Sequence, residues 1–299
     1  MPADPILVTG ATGAQGGATA RALLAGGRRV RFLSRDPQSP AARALAEAGA
    51  EAVRGNLNDA ASVRAALRGV RGVFSVQLVG PQERAQGFGL VDEARRAGVP
   101  QFVHSSVTGT AQHRGFPRWG SGYWSEDYWT AKWDIEEKVR GAGFAHATVL
   151  RPAFMMDNFI PPKVNGMFPD LARGEIATAM RPDTTLQLIG AADIGAFAAA
   201  AFAQPQAFAG HSIDLAAEAP TVAQIAATLA QVLGREIRAV ELTPQQALAR
   251  GLHPGWVRTQ EWINEAGYRA PIEALRRYPL PLTPLLAWAR AHLHDFRIG

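Results

Sequence analysis

The fold is decided close to the start of the chain, by the stretch Ile6-Leu7-Val8-Thr9-Gly10-Ala11-Thr12-Gly13-Ala14-Gln15-Gly16. Three apolar residues lead into a GxxGxxG pattern, and an Ala- and Leu-rich segment follows over 14–26. This order predicts a buried strand, a tight turn and a helix. Gly10 permits the turn, Gly13 lets the backbone approach a pyrophosphate, and Gly16 allows close packing of the helix on the strand. Phosphates then meet N–H groups at the positive end of the helix.

The first half of the chain continues this alternation of strands and helices. Strands are predicted at 6–8, 30–33, 51–54, 72–78, 101–105 and 147–150, and helices over 14–26, 40–48, 60–68, 82–97 and 125–140. Strands separated by helices pair in parallel through right-handed crossovers. We therefore predict an α/β fold with a doubly wound parallel sheet, the Rossmann fold. Its ligand site lies beyond the carboxyl ends of the strands, where the strand order reverses.

The alternation breaks after Arg151-Pro152, where prolines at 161, 162, 169 and 182 separate shorter elements. We predict a dinucleotide-binding domain over 1–152 and a smaller C-terminal α+β lobe on the substrate side, formed by 153–184 and 216–299. Residues 185–215 are predicted to return to the first domain as a strand (186–189), a helix (192–203) and a strand (212–215).

Composition excludes several classes of protein. The chain has 299 residues and no cysteine, which excludes disulfides, thiolate metal sites and a cysteine nucleophile. Its net charge of +5 comes from scattered arginines rather than a basic block, so nucleic-acid binding is not predicted. The seven histidines show no metal-ligand spacing, and we predict no metal. With no signal peptide and no apolar run of about 18 residues, a cytoplasmic protein without membrane contact is expected.

The residues after the second and third strands bear on the cofactor. An acidic residue after the second strand holds the ribose 2′-hydroxyl of NAD, whereas here Ser34 and Arg35 offer donors for the 2′-phosphate of NADP. Asp36 either reaches a ribose hydroxyl or pairs with Arg35. Asn56 and Leu57 follow the third strand, where the adenine ring rests, and Asn56 either bonds the base edge or caps the next helix. We predict NADP(H) as the cofactor.

With these residues placed, the chain resembles the NmrA-like family of atypical short-chain dehydrogenases/reductases. The matching segments are VTGATGAQGG (8–17), LSRDP (33–37), RGNLND (54–59), GVFSVQ (72–77), GVPQFVHSSV (98–107), AKWDIEEKVRGAGF (131–144) and LRPAFMMDNF (150–159). The resemblance implies a Rossmann fold with a small C-terminal lobe. It implies a cofactor set that includes Gly10, Thr12, Gly13, Ala14, Gln15, Gly16, Ser34, Arg35, Asn56, Leu57, Gln77, Ser105, Lys132 and Pro152.

The wider superfamily uses Tyr-x-x-x-Lys on a helix with a Ser or Thr from a strand end. Tyr128 and Lys132 match this spacing and share a helical face. The ammonium is expected to lower the pKa of Tyr128, which then protonates a substrate oxygen as hydride arrives, and to hold the nicotinamide ribose. Ser106 is the predicted partner of the substrate oxygen, although the usual hydroxyl falls as near to Val107 or Thr108. These residues indicate a catalytic group.

Aromatic residues crowd the segment 119–133, with tryptophans at 119, 124, 129 and 133 and tyrosines at 123 and 128. Such side chains either line a pocket for an apolar or aromatic small-molecule substrate or pack the helix onto the sheet. The predicted function is an NADPH-dependent reductase of a carbonyl, quinone or similar acceptor. The alternative is a non-catalytic NADP(H)-sensing regulator that acts through a protein partner. The sequence leaves the oligomeric state open.

Overall fold

The computed structural model describes residues 4–280 and 282–296. The chain divides into two compact units. The first unit comprises Met1–Thr110, Asp127–Arg151 and Ala191–Ile213, and the second unit comprises Ala111–Glu126, Pro152–Gly190 and Asp214–Gly299. Residues 111–126 and 185–190 therefore cluster with the second unit, whereas the sequence interpretation assigned them to the dinucleotide-binding domain.

Eleven strands occur in the described ranges 4–280 and 282–296. They are β1 (Ile6–Val8), β2 (Val30–Ser34), β3 (Glu51–Arg54), β4 (Gly72–Ser75), β5 (Gln101–Ser105), β6 (His146–Pro152), β7 (Phe154–Met155), β8 (Glu175–Thr178), β9 (Leu188–Ile189), β10 (Ser212–Leu215) and β11 (Arg238–Glu241). Seven of them form one sheet in the order β10-β6-β5-β4-β1-β2-β3. The pairs β1–β2, β1–β4, β2–β3, β4–β5 and β5–β6 are parallel. The order reverses at β1, so the predicted doubly wound Rossmann sheet is confirmed.

The same ranges contain twelve α-helices. They are α1 (Ala14–Ala25), α2 (Pro40–Glu47), α3 (Ala60–Leu67), α4 (Glu83–Arg96), α5 (Glu126–Gly141), α6 (Val164–Met167), α7 (Ala191–Ala203), α8 (Pro205–Phe208), α9 (Val222–Leu233), α10 (Pro244–Ala249), α11 (Pro254–Glu265) and α12 (Leu285–Ala291). None of the described helices is long and apolar enough to cross a membrane.

Apolar residues of the first unit bury one face of the sheet under α3, α4 and α5. This cluster includes Leu7, Leu67, Val73, Leu90, Val91, Phe102, Ile135 and Val139. Helix α1 instead packs on α7, and Gly195 lies at their contact. A Cβ added to Gly195 would lie 2.7 Å from the carbonyl carbon of Ala18. Only glycine therefore allows these two helices to approach so closely.

The second unit has two small sheets, in which β7 pairs with β9 and β8 pairs with β11, both in parallel. The apolar run predicted as a strand at 186–189 does not join the main sheet, because β9 pairs with β7 and Leu188 N–H donates to the Glu218 carbonyl at 2.9 Å. A short apolar run has the same pattern in either sheet. Phe154, Phe159, Phe168 and Trp256 stack together in the core of this unit.

Candidate active site

The glycine loop between β1 and α1 has the backbone that its sequence predicts. Gly10 adopts a φ of 60°, which favours glycine. A Cβ added to Gly16 would lie 2.3 Å from the Gly10 carbonyl oxygen and 2.6 Å from that of Thr9, so no side chain fits there. Gly13 is the N-cap of α1, and no side chain caps the helix. Thr12, Gly13 and Ala14 are exposed, so this helix end is open to an anionic ligand.

Side chains from both ends of the loop tie it to the sheet. The Thr9 hydroxyl donates to the Val76 carbonyl at 3.0 Å and accepts from the Val76 N–H at 2.9 Å, which joins the loop to the segment after β4. Ser105, at the end of β5, donates to the Gln15 side-chain oxygen at 2.6 Å. Ser105 and Gln15 were predicted as cofactor residues, whereas Thr9 was not singled out. The loop is thus held in place by its own protein neighbours.

Ser34 and Arg35 follow each other at the end of β2. The Asp36 carboxylate accepts from Gln38 N–H at 3.0 Å, which closes a local turn, and it makes no ion pair with Arg35. Arg35 is exposed and has no hydrogen-bond or ion-pair partner in the described part of the chain. Ser34 accepts from Asp36 N–H at 3.2 Å and keeps its own proton for donation. Two donors, one of them charged, are therefore available at this strand end.

A second arginine, which sequence reasoning missed, lies on the neighbouring strand. Arg54 ends β3 and is the register partner of Ser34. Its side chain is exposed and, like that of Arg35, has no partner among the described residues. The signal that could have found it is its position: a basic residue at the end of the strand that neighbours β2 lies beside the residues that select the cofactor.

Asn56 and Leu57 lie in the turn between β3 and α3. The Asn56 side-chain oxygen accepts from Asn58 N–H at 3.0 Å. The helix cap suggested for Asn56 is supplied by Asp59, whose carboxylate accepts from Ala61 N–H. Leu57 packs partly against the core cluster of the first unit. Asn56 therefore does not cap α3, and its amide N–H groups are left for another partner.

Buried polar side chains form a chain where β4 and β5 end. The Gln77 amide donates to the Ser75 hydroxyl at 3.0 Å, and Ser75 lies 3.2 Å from His104 Nδ1. Burial lowers the pKa of His104 to about 4, so the imidazole is neutral at pH 7. The Gln77 side-chain oxygen is buried and has no partner within the described residues. An orphaned acceptor of this kind is costly unless a ligand supplies a donor, which fits the hydroxyl or carboxamide of a dinucleotide.

Lys132 and Tyr128 share a face of α5, as predicted, but the Lys132 ammonium forms an ion pair with Glu83 rather than with the Tyr128 hydroxyl. Its ammonium lies 2.7 Å from a carboxylate oxygen of Glu83, at the start of α4, and both side chains are buried. The same ammonium lies 5.1 Å from the centre of the Tyr128 ring. The Tyr128 hydroxyl has no hydrogen-bond partner among the residues described.

The expected lowering of the Tyr128 pKa is wrong in this structure. Burial raises the pKa of Tyr128 far above its ordinary value, and the negative charge of Glu83 raises it further. Lys132 does not reverse this effect because Glu83 compensates its charge. Glu83 was missed by sequence reasoning, since it lies 49 positions before Lys132.

Ser106 belongs to a second buried network. Burial alone would raise the pKa of Glu136, but hydrogen bonds and charge from Arg151, a hydrogen bond from Ser106 and the charge of Arg140 hold it below the ordinary value. Arg151 binds Glu136 through two guanidinium nitrogens, at 3.0 and 2.6 Å. The Ser106 hydroxyl also lies 3.4 Å from the Thr110 hydroxyl, so it already has partners within the protein, and its role toward a substrate oxygen stays a prediction. The Thr108 hydroxyl is likewise taken up, by the Arg151 carbonyl.

Pro152, Tyr123 and Trp124 lie in the second unit. Pro152 is buried at the end of β6. The Tyr123 ring lies under Arg118 and Arg258, at 3.6 and 4.0 Å, and its hydroxyl donates to Glu261. Trp124 is buried and donates to the Pro117 carbonyl. Packing within the second unit thus accounts for the contacts of these two rings.

Comparison with known proteins finds sequence similarity to proteins that are named as oxidoreductases. It is 44% identical over 117 residues to an NmrA-like family domain-containing oxidoreductase of Aspergillus hancockii, a match that covers 36% of this chain and only 35% of the relative. It is 29% identical over 250 residues to an NAD(P)H azoreductase of Xenophilus azovorans, covering 81% of this chain and 78% of the relative. The chain thus spans about a third of the first relative and most of the second.

Solved structures share the fold at low sequence identity. A triphenylmethane reductase of Citrobacter sp. complexed with NADP(H) matches with a TM-score of 0.79 at 19% identity, covering 96% of this chain and 99% of that one. An NADPH-dependent quinone oxidoreductase of Escherichia coli, complexed with NADPH, matches at 0.78 and 22% identity, with 97% and 100% coverage. NmrA, a negative transcriptional regulator in complex with NADP, matches at 0.77 and 21% identity, with 100% and 98% coverage.

The family model that matches is that of the NmrA-like family, over residues 2–278. This range includes the glycine loop, the end of β2 and both buried networks of α5. The resemblance inferred from the sequence motifs is confirmed, and the chain belongs to the NmrA-like family.

Proposed function

We propose that this chain is an NADPH-dependent reductase that transfers hydride to a conjugated, electron-poor acceptor such as a quinone. The observation that carries the proposal is the position of Tyr128 on α5. Its hydroxyl is unpaired among the described residues and lies on the same helical face as the buried Lys132 ammonium. Relatives named as oxidoreductases support the reaction class.

The dinucleotide would be held by the glycine loop and the strand ends around it. The open helix end at Gly13 suits the pyrophosphate, and the orphaned Gln77 oxygen suits a donor from the nicotinamide half. Arg35, Arg54 and Ser34 offer donors for a 2′-phosphate, and the adjacent Asp36 carboxylate accepts the Gln38 N–H through Oδ1. These features favour NADP(H) over NAD(H). When bound, the reduced nicotinamide supplies the hydride.

The acceptor class follows from the acid available to it. A proton donor works best when its pKa lies near the working pH, and that of Tyr128 is raised far above it. Reduction of an isolated ketone produces an alkoxide, which needs such an acid during hydride transfer. A quinone accepts hydride to give a stabilised hydroquinone monoanion, and one proton from Tyr128 or water then neutralises it. The structure therefore favours acceptors that do not need strong acid catalysis.

The experiment is NADPH oxidation measured with a panel of quinones, aldehydes and ketones. We expect turnover with quinones and little with isolated carbonyls. Tyr128→Phe should slow any residual reduction of an isolated carbonyl by about 10²-fold, the lower end of the usual effect of losing a positioned acid, because its raised pKa makes Tyr128 a weak one. Quinone reduction should change much less, because its transition state needs no proton.

Tyr268→Phe, in the second unit, is the matched control, since it removes a tyrosine hydroxyl elsewhere in the chain. If the wild-type protein binds NADPH tightly but none of the acceptors in the panel supports NADPH oxidation, the proposal is overturned in favour of a dinucleotide-sensing regulator. Turnover of ketones at rates equal to those of quinones would contradict the acceptor class.

A further inference from the structure

Glu83 is a buried carboxylate beside the proposed reacting side chains. It is the first residue of α4, and its side chain is only 3% exposed. Its nearest charged partner is the Lys132 ammonium, at 2.7 Å. The N-terminus of a helix stabilises a carboxylate through the helix dipole. The first turn of α4 is therefore a suitable place for a carboxylate.

Lys132 is fixed from two sides. The carboxylate of Glu83 accepts one of its three N–H donors, and the face of the Tyr128 ring lies 5.1 Å from the nitrogen. A lysine side chain normally has several rotatable bonds and much conformational freedom. Burial between a carboxylate and an aromatic ring removes that freedom and leaves the other two N–H donors available.

We propose that Glu83 is a positioning residue, whose carboxylate holds the Lys132 ammonium against the Tyr128 ring and compensates its charge. The assignment rests on the proposed function in naming Tyr128 and Lys132 as the reacting side chains. Glu83 itself acts only through Lys132.

The charges around Tyr128 come from several elements, and the compensation depends on their balance. Glu83 from α4 and Lys132 from α5 are the closest. Glu136, one turn further along α5, is already paired with Arg151 from β6. His104 from β5 is neutral, because burial lowers its pKa to about 4. Removal of the Glu83 charge alone would therefore leave Lys132 as the uncompensated charge beside Tyr128.

The test is an ultraviolet titration of tyrosinate, which requires neither cofactor nor turnover. The chain has four tyrosines, so subtraction of the Tyr128→Phe titration isolates Tyr128. In the wild type, Tyr128 should remain protonated through the alkaline range in which the protein stays folded. In Glu83→Gln, the unopposed ammonium should lower its midpoint by about 1–3 pH units. Glu83→Asp keeps the charge and should restore most of the wild-type behaviour.

A double variant, Glu83→Gln with Lys132→Met, separates charge from structure. It removes both charges, so the Tyr128 midpoint should return toward that of the wild type. If Glu83→Gln lowered the midpoint only by loosening the packing, the midpoint would stay low in the double variant. If Glu83→Gln alone fails to fold, Glu83→Asp carries the test: the retained carboxylate should keep Tyr128 protonated through the same alkaline range, and titration of Tyr128 within that range would contradict the inference. A Tyr128 midpoint that is unchanged or raised in Glu83→Gln would overturn the inference. Because the titration does not measure reduction, loss of the proposed reductase function would be recognised separately.

Discussion

The nucleotide end and the reaction end of the first unit use charge in opposite ways. At the nucleotide end, Arg35 and Arg54 are exposed and have no partner in the described structure. At the reaction end, Lys132 is paired with Glu83, and Glu136 is paired with Arg151, all of them buried. Unpaired surface charges are available to a ligand, whereas buried pairs are needed by the protein itself. The charges are thus available to a ligand at one end and paired within the protein at the other.

The largest effect is expected from Glu136, which has no solvent-exposed side-chain surface. Glu136→Ala leaves Arg151 buried without its partner and should lower the free energy of unfolding by about 3–5 kcal/mol. Urea denaturation would measure this loss of unfolding free energy. Glu137→Ala is the matched control, because Glu137 is the next residue but is exposed and should contribute less than about 1 kcal/mol. Equal losses of stability for the two variants would contradict the conclusion that the buried charge pair is needed by the folded protein.

The same carboxylate predicts how stability depends on pH. The folded protein holds the pKa of Glu136 below its ordinary value, so the unfolded chain binds this proton first as the pH falls. Its contribution is fully present above about pH 4.3, the ordinary pKa of glutamate, and is lost as the pH drops through the folded value. The difference in unfolding free energy between wild type and Glu136→Gln should therefore be present at pH 7 and shrink as the pH is lowered, which unfolding curves at a series of pH values would measure.

An intermediate effect is expected at Gly16 in the glycine loop. Gly16→Ala places a Cβ against the Gly10 and Thr9 backbone, which should cost about 1–3 kcal/mol of stability and abolish measurable NADPH binding. Gly89→Ala is the control, since Gly89 lies inside α4 with open space around it. That variant should be neutral or stabilised by up to about 1 kcal/mol. If Gly16→Ala bound NADPH normally, the loop would not be the rigid cradle that its geometry indicates.

The smallest effect on stability is expected at Arg35. Arg35→Ala should change stability by less than about 0.5 kcal/mol, because the side chain is exposed and unpaired. It should weaken NADPH binding by about 10- to 150-fold, equivalent to about 1.5–3 kcal/mol, and leave NADH binding nearly unchanged. Arg114→Ala, a change at an exposed arginine of the second unit, should affect neither. Calorimetric titration would decide, and tighter NADH binding by the unmutated protein would contradict the cofactor preference.

The sequence predicted the backbone of the glycine loop better than the surroundings of Tyr128, for a physical reason. The glycine loop depends on a few neighbouring residues and on backbone conformation, so its pattern is local. The environment of Tyr128 depends on Glu83, 45 positions earlier and on another helix, and no local pattern predicts such a contact. The prediction that the strand at 186–189 joins the main sheet was wrong for a similar reason, because periodicity predicts a strand but not the sheet to which it belongs. Arg54 was missed because the register of β2 and β3 was needed to bring it beside Ser34.

The close contact between α1 and α7 has a consequence for synthesis of the protein. Helix α1 ends at Ala25, whereas α7 begins at Ala191, 166 residues later. At about 5–20 residues per second, roughly 8–33 s pass between the emergence of the two helices from the ribosome. During that interval Ala18, Ala20 and Leu23, which are buried in the finished protein, lack the helix that packs on α1. The nascent chain therefore carries its glycine loop on a helix with an uncovered apolar face, and exposed apolar surface of this kind favours aggregation during that interval.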